Sequence, residues 1–393
     1  MRVLGMISGT SHDGIDVAVV DFDIDADVLR ARIVHHSSVP YPPDLRERLI
    51  EALPPAPVGF DVVCELDTRI GQAFAAAARQ AVEEAGSVDV VCTHGQTAFH
   101  WVENSHWVEG SRALGTLQIG QPAWIAEATG ATVVSDVRSA DIAAGGQGAP
   151  LVPLLDVRML APLAEDGTVA AALNLGGIAN ITVCRSAADP VAWDIGPANA
   201  LIDAVVTDAP GAASFDHDGE LAAAGTVVPV LLADLLDSPF FGQPAPKSTG
   251  KELFNLDYVR AGLARTGLEP SLPDLVATLT ELTAVSVSQA VAQAGVEVLV
   301  ASGGGVRNPV LMRRLGDLLP GVRVLTSDAL GVPSDTKEAI AFALIGWASV
   351  HGLPGNVPSC TGAIGPRVLG QIIPASAPPP PLDAWPATLV FER

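Results

Sequence analysis

The stretch Val3-Leu4-Gly5-Met6-Ile7-Ser8-Gly9-Thr10-Ser11-His12-Asp13-Gly14-Ile15-Asp16-Val17-Ala18-Val19-Val20 sets two apolar runs around a small polar turn. Its pattern predicts a strand over Val3–Ile7 and another over Ile15–Val20, since both runs are short, apolar and bounded by turn residues. The arrangement returns at Ala171–Leu175, Gly176-Gly177 and Ile178–Val183. Two hairpins of one design imply two related halves.

Working outward, helices are expected over Arg69–Ala85, Pro122–Thr129, Asn199–Val206, Asp274–Ala294, Asn308–Leu319 and Asp335–Val350. Strands are expected over Val88–Cys92, Ala131–Ser135 and Val296–Ala301. Strands alternating with helices mean an α/β fold. The 393 residues suit two domains of ordinary size. From Pro374 to Pro381 the chain is Pro-rich and reads as an extended terminal arm.

Composition narrows the function. With 49% hydrophobic residues, 17% charged and a mean hydropathy of +0.36, the chain can bury a substantial core. A formal net charge of −22 leaves no general field to draw in a nucleic-acid backbone. Any phosphate must therefore be held locally, by backbone N–H groups, a helix end or a metal. Cys64, Cys92, Cys184 and Cys360 are scattered without metal-ligand spacing and read as reduced cytosolic thiols. The opening residues have no signal-peptide pattern, and polar residues break the most apolar helices, so neither secretion nor a membrane span is expected.

Several segments carry candidate chemistry. In the first turn, Gly9, Thr10, Ser11, His12, Asp13, Gly14, Ile15 and Asp16 offer consecutive N–H groups for a phosphate, and Asp13 or Asp16 can hold magnesium through water. Asp-Gly is also a favoured pair in a plain hairpin. Gly303, Gly304 and Gly305, followed by Asn308, lie between a strand and a helix, where a nucleotide can approach the backbone, or where strand and helix simply pack. Asp194 precedes Ile195-Gly196-Pro197 at a strand end, a position suited to a general base and equally to a structural carboxylate. Arg138 can clamp a carboxylate or phosphate, or form a surface pair. Thr93-His94-Gly95-Gln96-Thr97 is expected to emerge at a strand end, and His94 there is as often structural as a ligand. Asp335-Thr336-Lys337-Glu338 has capping-box spacing, which accounts for Glu338 without a substrate.

Taken in order, Ser8–Asp16, His94–Thr97, Leu117–Gly120, Gly145–Pro153, Asn174–Asn180, Asp194–Asn199, Gln243–Asn255 and Gly303–Pro309 give a sequence that resembles the anhydro-N-acetylmuramic acid kinase family of the sugar kinase/Hsp70/actin superfamily. The resemblance runs from about Leu4 to about Gly370. It implies an α/β, two-domain actin-like ATPase fold, ribonuclease H-like and duplicated, with an interdomain cleft. The expected division is 1–128 plus 348–373 against 129–347, with 374–393 as the arm. It implies ATP and Mg2+ as cofactors, the first turn on the phosphates and Gly303–Gly305 near the nucleoside. It implies hydrolytic opening of 1,6-anhydro-N-acetylmuramic acid and phosphorylation of O6 in cell-wall recycling. Asp194 is then the base that activates water, Arg138 suits the lactyl carboxylate, and His94, Gln96, Gln118 and Glu338 are candidate sugar contacts. A cytoplasmic homodimer is also implied. This chain departs from the family pattern at His12, at Ile195 (a threonine is expected) and at Lys337 (a methionine is expected). The rivals are another phosphotransferase of the superfamily and a non-catalytic sugar-sensing regulator or chaperone-like machine. Against the last two, no helix-turn-helix is expected ahead of the first strand, and no peptide-binding β domain behind the nucleotide domain.

Overall fold

The computed structural model describes residues 1–9, 12–103, 112–186, 188–209, 214–375 and 380–392, which fall into two compact units, Met1–Met159 with Thr336–Arg393, and Leu160–Asp335. Thr10 and Ser11 of the first turn lie outside the described residues. The first unit begins with β1 (Arg2–Ser8), β2 (Gly14–Asp25) and β3 (Val28–Pro40). Next come α1 (Pro43–Ala52), α2 (Phe60–Ala85), β4 (Val90–Glu103), β5 (Arg112–Ile119), α3 (Ala123–Thr129), β6 (Thr132–Ser135), α4 (Ser139–Ala143) and α5 (Pro153–Leu160). The second unit runs β7 (Ala170–Leu175), β8 (Ile178–Arg185), β9 (Ala188–Pro197), α6 (Asn199–Asp208), α7 (Glu220–Ala224), α8 (Pro229–Leu236), α9 (Leu256–Thr266), α10 (Leu272–Gln293), β10 (Val298–Ser302), α11 (Pro309–Leu318) and β11 (Arg323–Thr326). The chain then returns to the first unit with α12 (Lys337–Val350), α13 (Pro358–Thr361), β12 (Gln371–Ile373) and β13 (Thr388–Glu392).

The two sheets share one plan. In the first, β1 pairs antiparallel with β2 and β2 with β3, while β4 and then β6 add in parallel on the other side of β1. In the second, β7, β8 and β9 form the antiparallel meander, and β10 and β11 add in parallel beyond β7. The strand order three-two-one-four-five thus occurs twice, as the paired hairpins in the sequence led us to expect. This is the duplicated ribonuclease H-like arrangement of the actin-like fold.

Each sheet is half-solvated until helices cover it. On α2, Leu66, Ile70, Phe74, Ala77, Ala78 and Ala81 recur at helical spacing and form one core with Leu4, Met6, Val17 and Val19. In the second unit Ala284, Val287 and Val291 of α10 pack with Leu173, Ile181 and Leu299. Among the described residues α10 is the one single helix long and apolar enough to cross a membrane, yet 61% of its apolar window is buried inside the protein.

The division of the chain differs from the expectation. The units divide after Met159 and after Asp335, not at 128/129 and 347/348. The reason is pairing that local patterns do not reveal: β6 joins β4 in register Val90↔Thr132, and α12 packs on β1, β2 and β4. The Pro-rich end, expected as an extended terminal arm, is tied down where β13 pairs in parallel with β3 over Val28–Arg32. Ahead of β13, the Trp385 ring lies 5.3 Å from that of Trp347, and the Arg158 guanidinium sits 3.8 Å over it. Trp385 Nε1–H donates to Pro354 O at 3.1 Å. Trp385→Ala should lower the unfolding free energy by about 2 kcal/mol, less than for a fully buried tryptophan, as read from denaturant-induced unfolding.

Candidate functional site

In the first unit the glycine turn is braced from below. His12 holds φ at 54° and its N–H donates to Gly9 O at 3.3 Å. Its carbonyl accepts from Arg46 Nε at 2.9 Å. Gly14 must lack a side chain, because a Cβ there would come within 2.5 Å of Val39 O. The Ser8 hydroxyl donates toward Gly14 O at 2.7 Å and Gln96 Oε1 at 2.6 Å. Gln96 is fully enclosed and its Nε2 donates to Gly9 O at 3.3 Å. Its amide is therefore committed to bracing the turn. Burial and the neighbouring Asp13 raise the pKa of Asp16, while a bond from Ser38 lowers it. Two carboxylates that repel at one turn suit a hydrated divalent cation; among the described residues no cluster of three or more ligating side chains accompanies them.

Beside this turn β4 carries a bulge. Met6 pairs with Thr93 and Ser8 with Gln96, so His94 and Gly95 together face Ile7. Gly95 has φ 70°, and a Cβ on it would lie 2.7 Å from Ile119 O. The expected strand end is thus the interior of a longer strand, and the bulge re-aims the side chains. His94 is buried, with Nδ1 at 3.0 Å from Gly95 O and Nε2 accepting from Arg138 Nε at 2.7 Å. Desolvation and the Arg138 charge hold its pKa well below the ordinary value. Arg138 Nη1 donates to Gly148 O at 2.5 Å. Gly148 is itself fixed by its N–H to Asp141 Oδ2 at 2.8 Å. Burial pulls the Arg138 pKa down to about 10, against the raising fields of Glu338 and Asp141.

Glu338 lies in the first turn of α12. The helix begins at Lys337, and its N-cap Thr336 makes no side-chain capping bond. Asp335, the expected capping partner, pairs with Arg307 instead. The capping-box explanation of Glu338 is therefore set aside. Desolvation and the field of Asp16 raise its pKa, while Lys337 and Arg138 oppose them. Lys337 itself is buried and donates to Asp156 Oδ1 at 2.8 Å. Gln118, on β5, donates to Thr116 Oγ1 at 2.8 Å and Thr97 Oγ1 at 3.1 Å.

In the second unit Asp194 sits within β9 opposite Asn180. Its backbone N–H donates to Lys247 O at 2.9 Å and its Oδ2 accepts from Thr249 N at 3.0 Å. Burial raises its pKa to about 6; the Thr249 bond works against the rise and Glu252 adds to it. Thr249 and Glu252 were missed as contributors. The only signal was the run Gln243–Asn255, which carries the family resemblance but no chemistry legible by itself. Gly303 has φ 85°, and a Cβ there would meet Asn174 Oδ1 at 2.6 Å; one on Gly305 would meet Leu175 Cβ at 2.6 Å. Asn308 is the N-cap of α11, its Oδ1 accepting from Val310 N at 3.0 Å and Leu311 N at 3.1 Å. At the hairpin between β7 and β8, Ala198 N and Ala200 N take the Gly177 carbonyl at 2.9 and 3.0 Å, and Asn199 N takes that of Gly176 at 3.0 Å. This ties the second glycine turn to the start of α6.

A sheet plan built twice, with a glycine turn on the first hairpin of each unit, defines an actin-like α/β protein of the kind used by sugar kinases and ATPases. A model of the anhydro-N-acetylmuramic acid kinase family matches residues 1–375. The anhydro-N-acetylmuramic acid kinase of Streptomyces coelicolor is 53% identical over 382 residues, covering 96% of this chain and 95% of that one. The enzyme of that name from Rhodococcus erythropolis is 50% identical, covering 98% of each. The chain belongs to the anhydro-N-acetylmuramic acid kinase family. Among solved structures, component A of the (R)-2-hydroxyglutaryl-CoA dehydratase of Acidaminococcus fermentans is similar at 12% identity and TM-score 0.43, over 88% of this chain and 98% of that one. A ROK family glucokinase from Streptomyces griseus is similar at 14% identity and TM-score 0.34, over 87% and 98%.

Gly303→Ala tests the tight turn. Strain at positive φ together with the clash on Asn174 should destabilise the second unit by about 2 kcal/mol, measured by denaturant unfolding.

Proposed function

We propose that this protein is an ATP-dependent kinase that opens 1,6-anhydro-N-acetylmuramic acid with water and phosphorylates the freed O6. The products are N-acetylmuramic acid 6-phosphate and ADP, and the setting is cytoplasmic cell-wall recycling. Family membership supports the reaction. The observation that carries the mechanism is Asp194: a desolvated carboxylate with Oδ2 held by Thr249 N–H and Oδ1 without a hydrogen bond among the described residues. A carboxyl of pKa about 6 is ionised at neutral pH and basic enough to draw a proton from water.

In this reading Asp194 orients water toward the anomeric carbon and accepts its proton as the C1–O bond to the 1,6-bridge breaks. ATP supplies the phosphoryl group that takes up the charge on the departing O6. The first turn would hold the phosphates of that nucleotide with backbone N–H groups, Gly303–Gly305 would lie near its nucleoside, and Asp13 or Asp16 would hold magnesium through water. Arg138 takes the lactyl carboxylate on its remaining N–H groups, with Gln118 and Glu338 as candidate contacts to the sugar. A homodimer is the assembly that the family resemblance implies.

Incubation with magnesium, ATP and the anhydro-sugar should yield the 6-phosphate, with solvent oxygen-18 at C1. Good turnover of an ordinary hexose with none of the anhydro-sugar would favour a different kinase of this fold, and product without the label would rule out attack by water.

Asp194→Asn should abolish turnover while leaving nucleotide binding intact. For the wild type, kcat/KM should fall as pH drops through about 6, because protonated Asp194 is no base. Stability runs the other way. A carboxyl whose folded pKa is raised stabilises the fold relative to its charged form below 3.8, and that contribution is lost as pH rises through about 6. At neutral pH and above, Asp194→Asn should therefore gain up to about 3 kcal/mol, read from chemical unfolding.

A further inference from the structure

Arg138 is held by two acceptors that are themselves fixed. Nη1 is committed to Gly148 O at 2.5 Å and Nε to His94 Nε2 at 2.7 Å. Among the described residues Nη2 has no hydrogen-bond partner, and Arg138 is only half-buried, so that end of the guanidinium remains open to a ligand. For His94 to accept from an arginine N–H, its Nε2 must carry a lone pair. The proton is then on Nδ1, which points at Gly95 O at 3.0 Å. Both ring nitrogens are spent inside the protein. The ring face packs on Phe342, with centroids 5.0 Å apart, and the residue is 4% exposed. Nothing on this imidazole is left to meet a sugar.

We infer that His94 is a positioning residue: the β4 bulge turns a neutral Nδ1–H imidazole onto Arg138 Nε and so aims the free edge of the guanidinium at the substrate's carboxylate. This rests on the reading of Arg138 as the carboxylate clamp and replaces the expectation that His94 touches the sugar. A guanidinium anchored only through Nη1 can rotate about that bond; a second acceptor at Nε fixes its plane. Recognition of a planar anion by the remaining Nη N–H groups depends on that plane.

His94→Phe preserves a ring against Phe342 but removes the acceptor. His94→Gln places an amide oxygen near the former Nε2. In the full-length enzyme, His94→Phe should raise KM for the anhydro-sugar acid about tenfold, the effect of losing one hydrogen bond to a charged group, with kcat and the KM for ATP nearly unchanged. His94→Gln should recover most of the loss, and His94→Phe should add nothing in an Arg138→Met background. Nitrogen-15 NMR of the wild type should show a protonated Nδ1 and a bare Nε2 at neutral pH.

A fall in kcat with KM unchanged would mean that the imidazole works on the reacting atoms, and additive losses in the double variant would separate His94 from Arg138. Either result overturns the inference, as does a protonated Nε2. An Arg138→Met variant with wild-type KM would instead remove the clamp reading itself. If Arg138→Met raises KM and His94→Phe does not, only the inference on His94 falls.

Discussion

The close approach of α12 to the first sheet governs the geometry of the first unit. A Cβ on Gly5 would overlap Ala339 O and the backbone N of Ala343, and one on Gly346 would come within 2.5 Å of Cys92 Cβ. Strand and helix therefore touch through their backbones, and Ile340, Leu344 and Ile345 of the same helix are fully buried. That distance sets Phe342 on the His94 ring and puts Glu338 within the field of Arg138 and Asp16. A carboxylate in the first turn of a helix also feels the favourable end of the helix dipole. The polar cluster thus inherits its dimensions from two glycines that bear no chemistry.

The second unit repeats the plan but spends its stability differently. Its glycines, Gly303 and Gly305, press against Leu175 and Asn174 at the end of β7, keeping backbone rather than side chains at the head of the sheet. Asp194 lies opposite Asn180 of the adjacent strand, and is desolvated with no cationic partner in hydrogen-bond contact among the described residues. A carboxylate left so costs folding free energy, and such costs concentrate where proteins do chemistry.

Much of this was legible in the residues. The paired hairpins announced the duplicated sheet, and the strand–glycine–helix pattern announced the tight turn at Gly303–Gly305. What was not legible depended on contacts remote in sequence. His94-Gly95-Gln96 reads as the end of a strand because glycine after an apolar run is ordinary punctuation; only the register of β4 against β1 shows a bulge. Gln96 looks available until Ser8 and Gly9 are found on its amide. Asp335 and Glu338 have the spacing of a cap, yet α12 starts at Lys337 and Arg307 has taken Asp335. The unit boundaries followed the pairing of β6, which no local pattern encodes.

The tail completes the picture in a different respect. The family model stops at residue 375, but the chain continues and lays Thr388–Glu392 along β3. Without that strand, β3 would be the outer margin of the sheet and its outward N–H and C=O groups over Val28–Arg32 would lack ladder partners. Such a margin is a template for pairing with another chain. The Trp385 anchor keeps the covering strand in place, so the first five residues of β3 find their ladder partners within the chain itself.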